Sequence, residues 1–154
     1  MDKTICVVGM GYVGLPLAVE FSREGLDVIG YDVDRGVISQ LRTGVDPTDE
    51  VGDEAINNVS IKFTTDPSTI AEAKYVLVAV PTPVDDLKNP NLTHVESAAE
   101  TIGQNLRPGA IVVLESTVYP GATREILASA IEDESGLTAG EGFYVGYSPE
   151  RMVP

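Results

Sequence analysis

A glycine-rich turn set between a strand pattern and a helix pattern limits the fold of this chain more than any other feature. Residues 4–8 (TICVV) are apolar and mostly β-branched, which predicts a buried strand. The motif G-x-G-x-x-G follows at residues 9–14, and residues 12–23 then carry apolar side chains at helical intervals. This order predicts a tight turn whose backbone amides, at the start of a helix, can bind the pyrophosphate of a dinucleotide.

Each position of the motif has a physical role in that interpretation. Gly9 permits the tight turn, Gly11 lets the backbone approach the pyrophosphate, and Gly14 lets the helix pack closely on the strand. Tyr12 and Val13 lie between the last two glycines and complete the loop. We therefore predict that all five residues belong to a cofactor site.

A carboxylate follows at the distance expected for such a site. Asp32 ends the next apolar run, 18 residues after Gly14, where it would accept hydrogen bonds from the hydroxyls of the adenine ribose. The same charge would repel a 2′-phosphate, so the sequence favours NAD over NADP. Two alternatives to a dinucleotide site remain. The motif is an unrelated glycine turn with an ordinary Asp at a strand end, or the chain is a methyltransferase that binds adenosylmethionine, although the usual glycine spacing of methyltransferases differs.

Short apolar runs alternate with helical patterns along the chain, which predicts a parallel sheet with crossover helices. The class is α/β, a doubly wound Rossmann-type parallel sheet with helices on both faces. The acidic stretch at 45–58 is predicted to be a loop or a loose helical excursion, and the proline-rich stretch at 81–90 an ordered loop. Predicted strands cover 4–8, 27–31, 61–64, 75–80, 111–114 and 143–146, and the main helices cover 12–23, 34–41, 92–106 and 122–131.

Composition narrows the functional classes. The chain of 154 residues is long enough for one domain, and its net charge of −14 makes general nucleic-acid binding improbable. That acidity fits an ordinary solvated surface, or a protein adapted to high salt. Cys6 is the only cysteine and His94 the only histidine, so we predict neither a disulfide framework nor a metal site. With no predicted signal peptide or membrane span, we expect a cytoplasmic protein.

Three later segments carry a resemblance to a known family. They are VPTP at 80–83, ESTVYPG at 115–121 and GYSPER at 146–151. Together with GMGYVG at 9–14, they resemble the UDP-glucose/GDP-mannose dehydrogenases. The sequences of four further segments are similar to those of the branch of this family that acts on UDP-N-acetylhexosamines. These segments are residues 44–51, 90–93, 116–121 and 135–137.

The resemblance implies an NAD-dependent, two-step oxidation of a sugar C6 alcohol to a carboxylate. Pro81 and Thr82 would lie beside the cofactor at the end of the fourth strand. Thr117 would lie near the nicotinamide and an active-site water, as both a cofactor and a catalytic residue. Glu150 would act on that water in acid/base catalysis. The family usually has Arg or Lys five residues after the ribose-binding acid, but here Val37 occupies that position, so Arg35 is the candidate for the adenosine end.

The resemblance also implies that residues 1–154 are an N-terminal NAD-binding domain. The family's catalytic cysteine and lysine, its central helix and its UDP-sugar-binding domain would follow residue 154. We therefore expect NAD binding with little or no turnover, and a homodimer when the protein is full length. Two alternatives remain: a regulatory NAD-sensing Rossmann module, and another NAD(P) oxidoreductase such as a 3-hydroxyacid dehydrogenase.

Four further residues each allow two interpretations. His94 is either a solvated residue at a helix end, which is the interpretation we adopt, or a catalytic group. Asp85 and Asp86 are solvated, or form part of a lid over the cofactor. Glu115 either contacts the residues that bind the ligand, without binding it directly, or simply ends a strand.

Overall fold

The computed structural model describes residues 4–116 and 120–149, and these residues form a six-stranded parallel sheet. The strand order is β3-β2-β1-β4-β5-β6, and all neighbouring strands pair in parallel. This is the order of the doubly wound dinucleotide fold, so the predicted fold class is confirmed. The strands are β1 Thr4–Val8, β2 Asp27–Tyr31, β3 Ile61–Thr64, β4 Tyr75–Val78, β5 Ile111–Ser116 and β6 Tyr144–Pro149.

Helices connect the strands in the predicted places. They are α1 Gly14–Arg23, α2 Arg35–Arg42, α3 Asp53–Asn57, α4 Thr93–Asn105 and α5 Pro120–Ser135, with a 3₁₀ helix at Pro67–Glu72. The boundaries differ from the predicted ones by a few residues. The helix predicted to start at residue 12 begins at residue 14, the strand predicted to end at residue 80 ends at residue 78, and α3 is the helical part of the stretch at 45–58.

The alternation of side chains along β1 explains why helices are needed on both faces of the sheet. Cys6 and Val8 are buried in one hydrophobic core, beneath α4 and α5. Ile5 and Val7 point the other way, into a second core with residues of α1 and α2. Both faces of the central strand are therefore covered, as expected for a parallel sheet with an unbroken apolar strand sequence.

The strand order also determines where a ligand can bind. From β1 the chain passes through α1 to β2 on one side, and it later returns to β4 on the other side of β1. The connections that leave the carboxyl ends of these two strands therefore diverge and open a crevice, the usual ligand site of such sheets. Within the two described ranges, every helix is too short or too polar to cross a membrane.

Candidate functional site

A cleft of about 820 Å³ lies at the carboxyl ends of β1, β2 and β4. Most of the residues predicted to bind the cofactor line it. The glycine turn forms the floor, the end of β2 and the segment after α2 form one side, and α4 with the segment after β4 forms the other. The lining comprises Val8, Gly9, Met10, Gly11, Tyr12, Val13, Tyr31, Asp32, Val33, Asp34, Val37, Pro47, Thr48, Ala79, Val80, Pro81, Thr82, Pro83, His94, Ser97, Ala98, Thr101 and Glu115.

The glycines of the turn meet the geometric demands that the sequence predicts. Gly9 has φ +105°, a conformation that side chains rarely adopt, and a Cβ there would lie 2.9 Å from the Ala79 carbonyl oxygen. A Cβ at Gly14 would collide with the Gly9 carbonyl oxygen, so only glycine allows α1 to start so close to the turn. A Cβ at Gly11 would meet no atom within 4 Å, which leaves the backbone open to a ligand.

The backbone amides of the turn are available to an anion. Leu15 donates to the Gly11 carbonyl at 3.1 Å and begins the hydrogen-bonding pattern of α1. Among the hydrogen bonds of the described residues, none uses the amides of Gly11, Tyr12 or Val13. These donors lie at the positive end of the helix dipole, where a pyrophosphate is stabilised.

Asp32 connects the turn to the end of β2. Its Oδ2 accepts a hydrogen bond of 2.8 Å from the Met10 amide, and its Oδ1 accepts one of 2.9 Å from the Asp34 amide. Each carboxylate oxygen can accept a second hydrogen bond, so both remain competent to bind ribose hydroxyls. The side chain of Asp34 caps α2 by accepting from the Gly36 amide at 2.8 Å and the Val37 amide at 3.2 Å.

The charge of the cleft opposes a phosphorylated ribose. Its described lining carries the carboxylates of Asp32, Asp34 and Glu115, and it includes neither lysine nor arginine. A 2′-phosphate beside Asp32 would therefore be repelled by the negative charge of that carboxylate. A pyrophosphate at the turn would instead meet backbone amides, which can bind it without a cationic side chain.

Pro47 and Thr48 are site residues that the sequence reasoning missed. They line the cleft on the side of Asp32, in a segment predicted only as a loop or loose helix. The structure shows that this segment folds around the buried carboxylate of Asp46. An Asp-Pro pair followed by a threonine is a signal for a hydrogen-bonded turn, and that signal was present in the sequence.

The opposite side of the cleft is formed by the segment after β4 and by α4. Pro81 and Thr82 line it, so their contact with the cofactor stays a prediction, and Glu115 on β5 reaches it as well. His94 is exposed near the start of α4, as expected from the sequence, but it also lines the cleft. In the loop that follows Pro83, the Asp85 carboxylate accepts hydrogen bonds from two backbone amides, so this residue organises its own loop.

Among the described residues, two predicted site residues, Arg35 and Gly14, are not in the cleft lining. Arg35 is exposed at the first turn of α2 and does not line the cleft, so its contact with the adenosine end stays a prediction. Gly14 lies buried beneath the turn, consistent with its packing role. Thr117 and Glu150 lie outside the described residues.

Cys6 has the environment of an inert thiol. It is fully buried in β1, and burial together with the charge of Glu72 raises the pKa of the thiol to about 12. Within the described ranges, no three His, Cys, Asp or Glu side chains are grouped to hold a metal ion.

The strand order, the glycine turn and the carboxylate at the end of β2 define a Rossmann-type dinucleotide-binding domain. Residues 3–154 match the family described as "UDP-glucose/GDP-mannose dehydrogenase family, NAD binding domain". The chain therefore belongs to the UDP-glucose/GDP-mannose dehydrogenase family, and its cofactor is NAD.

Individual relatives agree with this assignment. The chain is 46% identical to a UDP-N-acetyl-D-glucosamine 6-dehydrogenase of Pseudomonas aeruginosa, over 99% of this chain and 36% of that protein. A solved UDP-D-ManNAc dehydrogenase of Pyrococcus horikoshii superposes with a TM-score of 0.88 and 35% identity, over 98% of this chain and 37% of that one. A ternary complex of GDP-mannose dehydrogenase from Pseudomonas aeruginosa also gives a TM-score of 0.88, at 32% identity, over 97% of this chain and 36% of that one.

The resemblance read from the motifs is thus confirmed. The dehydrogenase interpretation is supported over a regulatory sensor and over a 3-hydroxyacid dehydrogenase. The chain spans about a third of the length of the curated relatives that it matches.

Proposed function

We propose that this chain is the NAD-binding part of a UDP-sugar 6-dehydrogenase that oxidises the C6 alcohol of a UDP-N-acetylhexosamine to the uronate. The observation that carries the proposal is the 46% identity, over 99% of the chain, with a UDP-N-acetyl-D-glucosamine 6-dehydrogenase. Relatives named UDP-N-acetyl-D-mannosamine dehydrogenases are 33–36% identical, which further supports a UDP-N-acetylhexosamine as the substrate.

NAD supplies the hydride acceptor for both oxidation steps. The residues of this chain bind and orient it: the turn amides receive the pyrophosphate, Asp32 receives the adenine ribose, and Thr82 lies on the nicotinamide side of the cleft. The net reaction converts the alcohol and one water to a carboxylate, and it transfers two hydrides in succession. We assign Thr117 to the nicotinamide side and Glu150 to the proton of the attacking water, as the family resemblance implies.

The substrate assignment is tested with the full-length protein. Purified enzyme should form two NADH for each UDP-N-acetylhexosamine consumed, and should be much less active on UDP-glucose and GDP-mannose. A preference for UDP-glucose would overturn the proposed substrate class but would leave the family assignment unchanged. The 154-residue chain alone should bind NAD in calorimetry and form no NADH with any of these sugars, because its single cysteine, Cys6, is buried in β1 and cannot capture an aldehyde.

The assembly and the compartment are part of the same proposal. We propose a homodimer in the cytoplasm, in which residues 1–154 form the NAD-binding domain. Light scattering of the full-length enzyme should give twice the mass of one chain, and fractionation of the source cells should recover the activity in the soluble cytosolic fraction. A monomer, or activity that sediments with membranes, would contradict it.

A further inference from the structure

The segment at residues 46–52 is folded around a single buried side chain. Asp46 is 5% exposed, and its carboxylate accepts four hydrogen bonds from within the segment. Oδ1 accepts from the Thr48 amide at 2.8 Å and the Thr48 hydroxyl at 2.7 Å. Oδ2 accepts from the amides of Val51 at 2.9 Å and Gly52 at 2.8 Å. Four donors satisfy an ionised carboxylate completely, so the segment is ordered by this one group.

Hydrogen bonds at both ends fix the segment to its neighbours. On the side of α2, the Val45 amide donates to the Gln40 carbonyl at 2.9 Å. On the side of α3, the Asp46 amide donates to Oδ1 of Asp53 at 2.8 Å. The Asn57 side chain donates to the Gly44 carbonyl at 3.1 Å, which connects α3 to the chain just after α2, and it donates to the Asp53 carbonyl at 2.8 Å within α3.

The part of this segment that reaches the cleft is Pro47 and Thr48. The Thr48 hydroxyl is held within the segment, since it donates to Asp46 and accepts from the Glu50 amide at 3.1 Å. The segment therefore offers the cleft mainly the carbon atoms of a proline and a threonine. Val33 and Val37 line the same side, so the wall beside Asp32 is apolar and suits the face of a purine ring.

We propose that Asp46 is a positioning residue for NAD, holding Pro47 and Thr48 as the fixed wall against which the adenine ring packs. Asp46 makes no contact with the cofactor in this arrangement. It acts by removing the freedom of a seven-residue loop before the ligand arrives, so that binding does not have to order it. The inference rests on NAD binding in the cleft and adds the residue that shapes its adenosine end.

The substitution Asp46→Asn tests the proposal. An asparagine amide places its NH₂ group against backbone donors, so the loop loses at least one strong hydrogen bond and gains a repulsive contact. Asp66→Asn is the matched control, because Asp66 likewise accepts from a nearby backbone amide and hydroxyl, at 3.0 and 2.8 Å, but does not line the cleft. Affinities for NAD, ADP and nicotinamide mononucleotide are measured by NMR titration of the 154-residue chain.

We expect Asp46→Asn to weaken binding of NAD and of ADP about tenfold, with nicotinamide mononucleotide unchanged, whereas Asp66→Asn alters none of the three. Equal losses for ADP and nicotinamide mononucleotide would indicate general damage to the fold and overturn the proposal. An unchanged affinity for ADP would overturn it too.

A second pair of variants, at Thr48, tests the proposal even if Asp46→Asn fails to fold. Thr48→Val keeps the volume but removes the hydroxyl that Asp46 accepts from, and Thr48→Ser keeps that hydroxyl. The valine variant should lose affinity for ADP and the serine variant should retain it; the same affinity in both would contradict the proposal. If the wild-type chain fails to bind NAD, the proposed function fails first, whereas normal NAD binding by every variant refutes only the role of Asp46.

Discussion

The backbone amide of Met10 donates a hydrogen bond of 2.8 Å to Oδ2 of Asp32. One residue earlier on each segment, the Gly9 amide donates to the Tyr31 carbonyl at 2.8 Å. The turn that we propose for the pyrophosphate and the carboxylate that we propose for the ribose are thus joined by direct hydrogen bonds. A site built in this way loses little conformational entropy when it binds, because its two halves are already in register.

Replacing Asp32 with asparagine should weaken NAD binding by about 10- to 100-fold. The substitution removes the negative charge and one of the two acceptor oxygens, and hydrogen bonds to a charged group contribute about 1.5–3 kcal/mol. The preference for NAD over NADP should shrink as well, because the repulsion of a 2′-phosphate falls. Calorimetry with both cofactors measures the two effects.

Asp27→Asn is the control for that experiment. Asp27 lies at the opposite end of the same strand and is exposed, away from the cleft. Its substitution should leave both affinities unchanged. Wild-type selectivity in Asp32→Asn would show that this carboxylate does not contact the ribose.

Replacing Gly11 with alanine should affect NAD binding, whereas replacing Gly14 with alanine should affect the stability of the fold. At Gly11 the added methyl meets no protein atom within 4 Å, so the free energy of unfolding should change by less than about 1 kcal/mol while NAD binding falls strongly. At Gly14 the methyl collides with the Gly9 carbonyl, so the protein should be destabilised by about 1–3 kcal/mol. Urea unfolding and NAD titration of both variants separate the two roles. Normal NAD affinity in the Gly11 variant would contradict the close approach of the pyrophosphate.

Cys6 should not react with thiol reagents in the native protein. Burial and the charge of Glu72 raise the pKa of its thiol to about 12, so almost no thiolate forms at pH 8, and the side chain is inaccessible. A disulfide reagent added to folded protein should give no colour within an hour, whereas unfolded protein should react within minutes. Rapid reaction of the folded chain would show that β1 opens readily.

The stability that Asp46 provides should depend on pH. Burial raises the pKa of its carboxyl, but the hydrogen bonds from Thr48, Val51 and Gly52 outweigh burial, and the net pKa lies below its ordinary value of 3.8. A lowered pKa in the folded state gives stability that is complete above that value and is lost as the pH falls through the folded-state pKa.

Urea unfolding of the wild type and of Asp46→Asn at several pH values tests this expectation. The free energy of unfolding of Asp46→Asn should be about 1–3 kcal/mol lower than that of the wild type at pH 7, and this difference should narrow below pH 4. A difference that does not change with pH would show that the ionised form is not what holds the loop.

Local patterns in the sequence were sufficient to predict the fold and the centre of the site. The spacing of Gly9, Gly11 and Gly14 after an apolar strand, with Asp32 at the next strand end, predicted the turn, the sheet class and the cofactor. These features are readable because each depends on neighbouring residues: a positive φ needs glycine, and a buried parallel strand needs an uninterrupted apolar run. Element boundaries were less accurate because hydrogen bonding at the ends of helices and strands depends on their neighbours.

The remaining walls of the cleft could not be predicted in this way. The sequence of Asp46, Pro47 and Thr48 is a signal for a local turn, but it does not show that Asp46 is buried or that Pro47 and Thr48 line the cleft. His94 shares the cleft with Asp32 because helix α4 packs beside β1, although 62 positions separate the two residues. The sequence by itself determined the glycine turn, the class of sheet and the family. Only the tertiary structure decided which distant side chains face one another, because that depends on how the helices pack across the sheet.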